Sequence, residues 1–258
     1  QPANAALFDS AASIYSSLPH YGNIVAGKFH RGDHRGGGQY SDCTERDRIR
    51  AIQLYLEAIK LWPADGKKTE LSALYSRLAG AISMSRQGSG AWRLQILSDL
   101  SNLPDHEPGS SWDRGGRDPK GAPVDADGNA LFYQAADAWE AAKNDGERWR
   151  YALDRAAKLN PALNDQHQLN WANFLRTQFG VTTMAHYNWF SSMDMDDQKG
   201  ILQLHTLTDD ETVARLATGV KRFKLPADQN FIVIYKSLSV RNETAADSLI
   251  QIYLDRRQ

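Results

Sequence analysis

The stretch "AIQLYLEAIKLWP", residues 51–63, decides the fold that this sequence predicts. Its apolar residues recur every three or four positions, which is the spacing of one face of an α-helix. The helix also carries a small, an aromatic, a small and a proline residue in turn: Ala51, Tyr55, Ala58 and Pro63. Small side chains let a second helix approach closely, and the aromatic ring fills the groove beside them. The stretch therefore predicts a helix that packs tightly within a helical hairpin.

Two other segments carry related spacings. "WRYALDRAAKLNP", residues 149–161, repeats the pattern with Trp149 in place of the first small residue. "SLIQIYLDRRQ", residues 248–258, has the apolar positions of the helix that would precede such a segment in a hairpin. The pattern resembles the second-helix signature of tetratricopeptide repeats. No even period of about 34 residues survives, so the resemblance implies degenerate repeats that are broken by insertions.

A second resemblance extends over nearly the whole chain. It rests on the strings "HRGGG…RDRIRAIQL", "WRLQILSDLSNLPD", "GAPVDADGNALFY", "AAKNDGERWRYAL", "QFGVTTMA" and "LHTLTDDETVARLATGVKRFKLP". These strings look like the helical region near the N-terminus of large bacterial alpha-2-macroglobulin-like proteins. That family's chemistry, where present, is a Cys-Gly-Glu-Gln thioester, and this chain has no such string, since Cys43 stands in "SDCTE". The resemblance implies an extracytoplasmic scaffold region, periplasmic or on the cell surface, of a larger polypeptide.

The composition limits the classes of function. The chain has 258 residues, of which 41% are hydrophobic and 24% are charged, and its formal net charge is -1. These values are ordinary for a globular domain and give no indication of nucleic-acid binding. The single cysteine, Cys43, cannot form an internal disulfide. No apolar run approaches the roughly 20 residues of a membrane-spanning helix, so membrane insertion is not expected.

Helical spacing predicts most of the remaining secondary structure. In "NAALFDSAASIYSSL", residues 4–18, it predicts one apolar stripe of Leu7, Ala11, Ile14 and Leu18. "TDDETVARLATGV", residues 208–220, is predicted to be a helix because Thr208 and Glu211 have the spacing of a capping box. Further helices are expected at residues 44–62, 69–85, 145–159 and 165–179.

The last two segments are also predicted to be helical. "NFIVIYKSL", residues 230–238, has β-branched residues that favour a strand, but its apolar spacing favours a helix. In "ETAADSLIQIYLDRRQ", residues 243–258, one apolar face is formed by Ala246, Leu249, Ile250 and Tyr253. Ile252 and Leu254 lie off that face and are expected to be partly uncovered. A terminal repeat needs a polar outer face, so this helix is expected to be truncated from a longer protein.

A small β insertion is predicted near residues 90–134. "AWRLQILSDL", residues 91–100, alternates apolar and polar positions as a strand does, although a short helix is an alternative. "VDADGNALFY", residues 124–133, has Asp-Gly at a turn and predicts a hairpin. "GILQLHTL", residues 200–207, predicts one more strand near 201–207. The expected fold class is therefore mostly α, with degenerate tetratricopeptide-like hairpins and a small β insertion.

The predicted domain organisation follows from these elements. Residues 1–89 form helical hairpins with a Gly-rich insertion at 28–43. Residues 90–134 form the β and loop insertion. Residues 135–258 form a second helical region.

The Gly-rich insertion, "KFHRGDHRGGGQYSDC", carries several candidate sites. His30 and His34 have a spacing found in zinc sites, with Asp33 or Cys43 as a third ligand, but the glycines make the necessary helix improbable. The Arg-Gly-Asp triplet matches a receptor-binding tripeptide that is also common by chance. The favoured interpretation is an insertion between the two helices of a hairpin. Arg31 and Arg35 would then contact neighbouring helices or a partner.

Other motifs are weaker. "VDADGN" resembles the start of a calcium loop, but the required glycine is Ala130, so a tight turn is expected. The acidic cluster "MDMDDQ", residues 193–198, predicts a solvated loop, with a weak cation site as the alternative. No nucleophile elbow, phosphate loop or zinc-protease motif occurs, so no catalytic residue, metal or cofactor is predicted. Trp112 lies in a Gly-rich loop without a core pattern, and it is the candidate for an exposed anchor that contacts a partner.

The favoured function is a non-catalytic scaffold or interaction module in a larger exported protein. Its partner would be a protein, a peptide or another domain of the same polypeptide, bound on a helical face. The alternative is a hydrolase-like enzyme whose site lies around the β insertion and uses Asp125, Asp127 or His205. A groove lined by tyrosine and arginine would favour binding, whereas a deep polar pocket at those three residues would favour the enzyme.

Overall fold

We describe a computed structural model of residues 2–62, 66–109, 121–186 and 203–257. The chain is mostly helical, as predicted, with two small antiparallel sheets. It divides into two compact units. Unit 1 comprises Gln1–Arg86, Arg93–Asp118 and Tyr133–Pro161, and unit 2 comprises Gln87–Trp92, Pro119–Phe132 and Ala162–Gln258.

The described part of unit 1 is built on four α-helices in series. They are α1 (Pro2–Tyr15), α2 (Thr44–Leu61), α3 (Lys68–Ser83) and α4 (Asp145–Leu159). Each packs against the next along the chain, so α2 lies against both α1 and α3, and α3 also lies against α4. The small residues of the opening stretch, Ala51 and Ala58, are fully buried, as is Tyr55 between them. This burial agrees with the predicted close helix packing, and Pro63 lies outside the described residues.

The predicted apolar stripe of α1 is wrong. Leu7 is 69% exposed and Ile14 is 55% exposed, while Ala5 and Ala12 are fully buried. The helix contacts α2 through its alanine face, because small side chains allow the shortest distance between two helices. The hydroxyls of Ser13 and Tyr55, 3.2 Å apart, join the two helices on this side.

Much of the Gly-rich insertion forms a sheet instead of a loop. The strands of this sheet are β1 (Tyr21–Val25), β2 (Lys28–Arg31), β3 (Gln39–Asp42) and β4 (Glu107–Pro108), and neighbouring strands are antiparallel in the order β2-β1-β3-β4. Strands β2 and β3 come from the insertion, whereas β1 and β4 lie outside it. Gly22 permits this pairing, since a Cβ atom there would lie 2.2 Å from the carbonyl oxygen of His30. The insertion still separates the paired helices α1 and α2, as the favoured interpretation predicted.

The strand predicted at residues 91–100 is also wrong. Gly88–Gln95 is a 3-10 helix that buries Ala91 and Leu94, three residues apart, and leaves Ile96 exposed. The alternating pattern would have buried Leu94 and Ile96 together. In the predicted hairpin, the tight turn is confirmed by a hydrogen bond of 3.0 Å from the Gly128 nitrogen to the Asp125 oxygen. Strand pairing there is limited to a single bridge between Val124 and Ala130.

Unit 2 combines helices with a two-stranded hairpin. Its elements are α5 (Asn164–Phe179), α6 (Thr183–His186), β5 (Glu211–Leu216), β6 (Gly219–Lys224), α7 (Phe231–Ser239) and α8 (Glu243–Asp255). Helix α5 packs against α7 and β5, and α7 packs against α8. A small apolar core joins the hairpin to the end of α5 and is formed by Val181, Leu207, Val213 and Val220.

The helix predicted at residues 208–220 is a strand and a tight turn. The Thr208 nitrogen does donate to the Glu211 carboxylate at 3.2 Å, as in a capping box, but the chain then extends into β5. Thr212 and Val213 are β-branched and both fully buried. Gly219 has a φ of +128°, which a helix does not allow. Of the strand predicted near 201–207, Leu204–Thr206 is a 3-10 turn, and residues 201–202 lie outside the described residues.

Helices α7 and α8 confirm the last two helix predictions. The side chain of Asn230 accepts hydrogen bonds from the nitrogens of Ile232 and Val233 at the start of α7. Asn242 caps α8 in the same way. Both helices therefore begin at an asparagine that satisfies otherwise unpaired backbone nitrogens.

The buried face of α8 differs from the predicted one. Ile250, predicted to lie on the buried face, is 58% exposed, and Ile252, predicted to be partly uncovered, is only 4% exposed. Leu254 is 62% exposed, as predicted. The buried guanidinium of Arg256 sets this orientation by donating to the carbonyls of Thr208 (3.2 Å) and Glu211 (2.7 Å). The buried face of α8 and its C-terminal end therefore includes Ile252 and Arg256, which the apolar spacing did not predict to be buried.

Candidate functional site

The Gly-rich insertion ends in a polar cluster around Asp47. Asp47 lies in the first turn of α2 and is 1% exposed. The guanidinium of Arg31, at the end of β2, donates to both carboxylate oxygens, at 2.5 and 2.8 Å. His20 Nδ1 lies 2.9 Å from Asp47 Oδ2, and the thiol of Cys43 donates to the same oxygen at 3.3 Å. The cluster fastens the sheet to the start of α2.

Burial and the charges in this cluster shift the pKa values of Asp47 and Cys43 in opposite directions. Burial alone would raise the pKa of Asp47, but the hydrogen bonds from Arg31, His20 and Cys43 outweigh it and hold that pKa below its ordinary value. Burial and the adjacent Asp47 carboxylate raise the pKa of Cys43 to about 12. The thiol therefore stays protonated at neutral pH and donates a hydrogen bond, so it is not an activated nucleophile.

We expect the stability of the protein to depend on the Asp47 carboxylate at neutral pH. Because the pKa of Asp47 is lower in the folded than in the unfolded chain, the ionised group stabilises the fold above the unfolded pKa, about 3.9. This stabilisation is lost as the pH falls through the folded pKa. Urea unfolding should therefore show a cost of Asp47→Asn that is largest near neutrality and shrinks in acid.

Asp33→Asn is the matched control, since Asp33 is exposed. Its effect on the free energy of unfolding should be small at every pH. An equal cost of Asp47→Asn at neutral and acidic pH would contradict the assigned role of the ionised carboxylate.

Arg31 and Arg35, which the sequence predicted to contact neighbouring helices or a partner, have different environments in the structure. Arg31 is committed internally to Asp47 and to the carbonyl of Pro19, so the arginine of the Arg-Gly-Asp triplet faces the protein itself. Arg35 is exposed in the connection from β2 to β3. Trp112 lies outside the described residues. Contact of these three residues with a partner stays a prediction.

The two histidines of the insertion lie close together. The rings of His30 and His34 have centroids 4.8 Å apart, and both side chains are exposed. Within the described residues, no group of three or more His, Cys, Asp or Glu side chains is arranged to hold a metal ion. Two ligands without a third are fewer than a structural zinc site uses.

Because the zinc and calcium motifs of the sequence are incomplete, we expect purified protein to bind no stoichiometric zinc or calcium. Elemental analysis of protein purified without chelator, followed by titration, measures this. Near one equivalent of metal in the wild type, absent from a His30→Ala, His34→Ala double variant, would establish a site in the insertion.

The residues of the enzyme alternative lie on the surface. Asp125 is exposed in its tight turn, where its carboxylate accepts hydrogen bonds from the nitrogens of Asp127 (3.0 Å) and Asn129 (2.8 Å). Asp127 and His205 are exposed as well. The Asp125 carboxylate thus stabilises its own turn. The acidic segment 193–198 lies outside the described residues.

A buried ionic network in unit 1 was not predicted from the sequence. Arg48 of α2 and Arg86 after α3 are almost completely buried, and both approach Asp145 Oδ2, at 3.3 and 3.4 Å. Glu45 pairs with both guanidiniums, and the Ser98 hydroxyl donates to Asp145. These residues join α2, α3 and α4 across long stretches of sequence, and no local motif marks them.

A second group of side chains in unit 1 forms what we term the aromatic–arginine surface. It consists of Tyr75 on α3, Trp139, and Arg148, Tyr151 and Arg155 on α4. The Tyr151 ring lies 6.4 Å from that of Tyr75 and 6.3 Å from that of Trp139, edge to face in both pairs. Arg155 lies over Tyr75, 5.9 Å from its centroid, and Arg148 lies 5.1 Å from that of Trp139.

The packing of α3 against α4 positions this surface. The Ser72 hydroxyl, one turn before Tyr75, donates to the carbonyl of Ala156 at 2.7 Å, and both residues are fully buried. Tyr75 forms the buried base of the surface, while Trp139 and Tyr151 are half-buried and Arg155 is exposed. The surface is therefore held by two rigid helices and is accessible at its aromatic and arginine edges.

The electrostatics of the surface centre on Tyr151. Burial raises its pKa, and the nearby Tyr75 and, to a smaller extent, the negative charge of Glu140 act in the same direction. The positive charge of Arg155 opposes this rise. The surface thus combines two phenols with the guanidiniums of Arg148, which pairs with Asp145, and Arg155, and both kinds of group donate hydrogen bonds.

Sequence reasoning missed this surface because its members are far apart along the chain. No protein-family model, curated protein or solved structure matches the chain. Among the helices of the described residues, none has the length and apolar character needed to cross a membrane.

Proposed function

We propose that this protein is a non-catalytic interaction module that binds a protein or peptide segment through the aromatic–arginine surface. The observation that carries the proposal is the partly exposed group of Tyr75, Trp139, Tyr151 and Arg155 on two packed helices. Tryptophan, tyrosine and arginine are the residues that most often dominate binding energy at protein interfaces. Their large, rigid side chains bury much area for little loss of conformational freedom.

The setting of the surface also supports binding. It combines apolar rings with polar tips, which suits a ligand that has both a side chain to pack and backbone or acidic groups to bind. The polar cluster around Asp47 is satisfied within the fold, and its protonated thiol is unsuited to covalent chemistry. The hydrolase-like alternative would use Asp125, whose carboxylate is engaged by hydrogen bonds within its own turn, and this favours an interaction module.

We further propose that the module is a scaffold region of a larger, exported, bacterial alpha-2-macroglobulin-like protein. The strings quoted above support this origin, and the buried Ala51 and Ala58 support tetratricopeptide-like hairpins. The bound segment would then belong to another domain of the same polypeptide or to a separate protein. An extracytoplasmic location, periplasmic or at the cell surface, follows from this proposal.

Selection from a displayed random-peptide library tests the binding function. We expect the wild-type protein to select peptides whose binding is weakened about tenfold or more by Trp139→Ala or Tyr151→Ala, which remove rings from the surface. Tyr40→Ala, on strand β3, is the matched control and should leave affinity within about twofold. Melting temperatures establish that each variant is folded. Peptides that bind all variants equally, or no selected peptides, would refute the proposal.

A further inference from the structure

We infer that the bound segment presents an acidic side chain to Arg155 and to the hydroxyls of Tyr75 and Tyr151. This inference rests on the proposed function and specifies the chemistry of the partner. It commits to a carboxylate within a peptide segment that also packs an apolar group against Trp139.

The charge of Arg155 is the first reason. Arg155 is exposed on α4 and forms no ion pair within the described part of the chain, where its contact is the ring of Tyr75. Its neighbours on the helix differ, because Arg148 pairs with Asp145 and Lys158 pairs with Asp154. Of the two guanidiniums of the surface, that of Arg155 therefore has its charge available for an acid supplied from outside.

The tyrosine hydroxyls are the second reason. The rings of Tyr75 and Tyr151 lie edge to face with centroids 6.4 Å apart, and Arg155 lies over Tyr75. Each phenol has one hydrogen that it can donate to an acceptor. A carboxylate supplies acceptors for a hydroxyl and a guanidinium at once, and hydrogen bonds to a charged group are stronger than neutral ones.

The position of these donors is the third reason. Tyr75 is 9% exposed and Tyr151 is half-buried, so a group that reaches them leaves part of its water behind. Charge interactions in such a partly desolvated place are stronger than at a fully solvated surface. An acid would replace the lost water with donors from three side chains. A neutral amide would make fewer favourable contacts, and a basic group would be repelled by Arg155.

The test compares selected peptides with neutral copies of themselves. We expect the random-peptide selection to enrich Asp and Glu at one position near an apolar residue. Replacing that acid by its amide should weaken binding by about tenfold, and Arg155→Gln should weaken the acidic peptide equally. Combining the amide peptide with the Arg155→Gln variant should lower the affinity no further than either change alone, because both changes remove the same contact.

Lys158→Gln removes an exposed charge one turn along the same helix, and it should leave the affinity within about twofold. Tyr151→Phe should weaken the acidic peptide more than its amide copy. Peptides that need Trp139 but show no acidic enrichment and no response to Arg155→Gln would overturn this inference while leaving the proposed function intact. Peptides that respond to none of the surface variants would overturn both.

Discussion

Replacing Asp145 with asparagine should destabilise the protein by about 3–5 kcal/mol, the usual cost of removing one partner from a buried ion pair. Asp145 is 1% exposed and lies near the guanidiniums of Arg48, Arg86 and Arg148. Without its charge, Arg48 and Arg86 keep only the carboxylate of Glu45, and Arg148 loses the ion pair that the described residues give it. The guanidiniums of Arg48 and Arg86 are buried, so water cannot replace the lost charge of Asp145. Denaturant unfolding, followed by tryptophan fluorescence and circular dichroism, measures the loss.

The control for this variant lies on the same helix. Asp154 pairs with Lys158 at the surface, at 2.6 Å, with a partly exposed carboxylate. Asp154→Asn should cost less than about 1 kcal/mol, because exposed pairs contribute little. A similar small cost for Asp145→Asn would show that the network does not hold α4 to the rest of unit 1.

The same network should respond to acid. Burial alone would raise the pKa of Glu45, but the hydrogen bonds and charges of Arg48 and Arg86 lower it below the ordinary value. The ionised carboxylate therefore stabilises the fold at neutral pH, and this contribution is lost as the pH falls through the folded pKa. Acid unfolding of unit 1 is accordingly expected to involve both Glu45 and the polar cluster around Asp47.

Replacing Ala51 with tryptophan is expected to have the second large effect. Ala51 is fully buried in α2, which packs against α1 on one side and α3 on the other. A bulky ring there must displace one of these helices, and overpacking of this kind costs about 1–3 kcal/mol, occasionally more. A lower melting temperature and a lower free energy of unfolding are the expected results.

Lys60→Trp places the same ring on the same helix at a side chain that is 70% exposed. It should change the free energy of unfolding by no more than about 0.5 kcal/mol, as surface substitutions usually do. If Ala51→Trp were equally harmless, Ala51 would face solvent and the hairpin interpretation of the opening stretch would fail.

The aromatic–arginine surface depends on the stability of these same helices. Asp145 begins α4, which carries Tyr151 and Arg155, and α3 carries Tyr75. A variant that loosens α3 and α4 would therefore weaken binding without touching the ligand. For this reason the binding tests use substitutions at the exposed edge of the surface, and each variant is checked for its melting temperature.

The sequence by itself determined the helices that are strongly periodic. Helices α2 to α5 lie within a few residues of their predicted bounds, because helical spacing and terminal Gly and Pro residues act locally. Helices α7 and α8 begin at Asn230 and Asn242, whose side chains cap the backbone beside them. The tight turn at Asp125 and Gly128 was predictable for the same reason, since each depends on a few neighbouring residues.

Tertiary structure alone decided which faces are buried and where the strands lie. Helix α1 offers an apolar stripe and an alanine face, and the close approach of α2 selects the alanines, Ala5 and Ala12. The pairing of Asp42 with Glu107 joins β3 to a strand that no local pattern connects to it. The pair of Arg31 with Asp47, the Asp145 network and the aromatic–arginine surface also assemble from distant segments. The spacing of apolar residues along the chain determines where a helix forms and which of its faces are apolar. Which face is buried, and which strands pair, depends on the surfaces of segments that are distant in sequence.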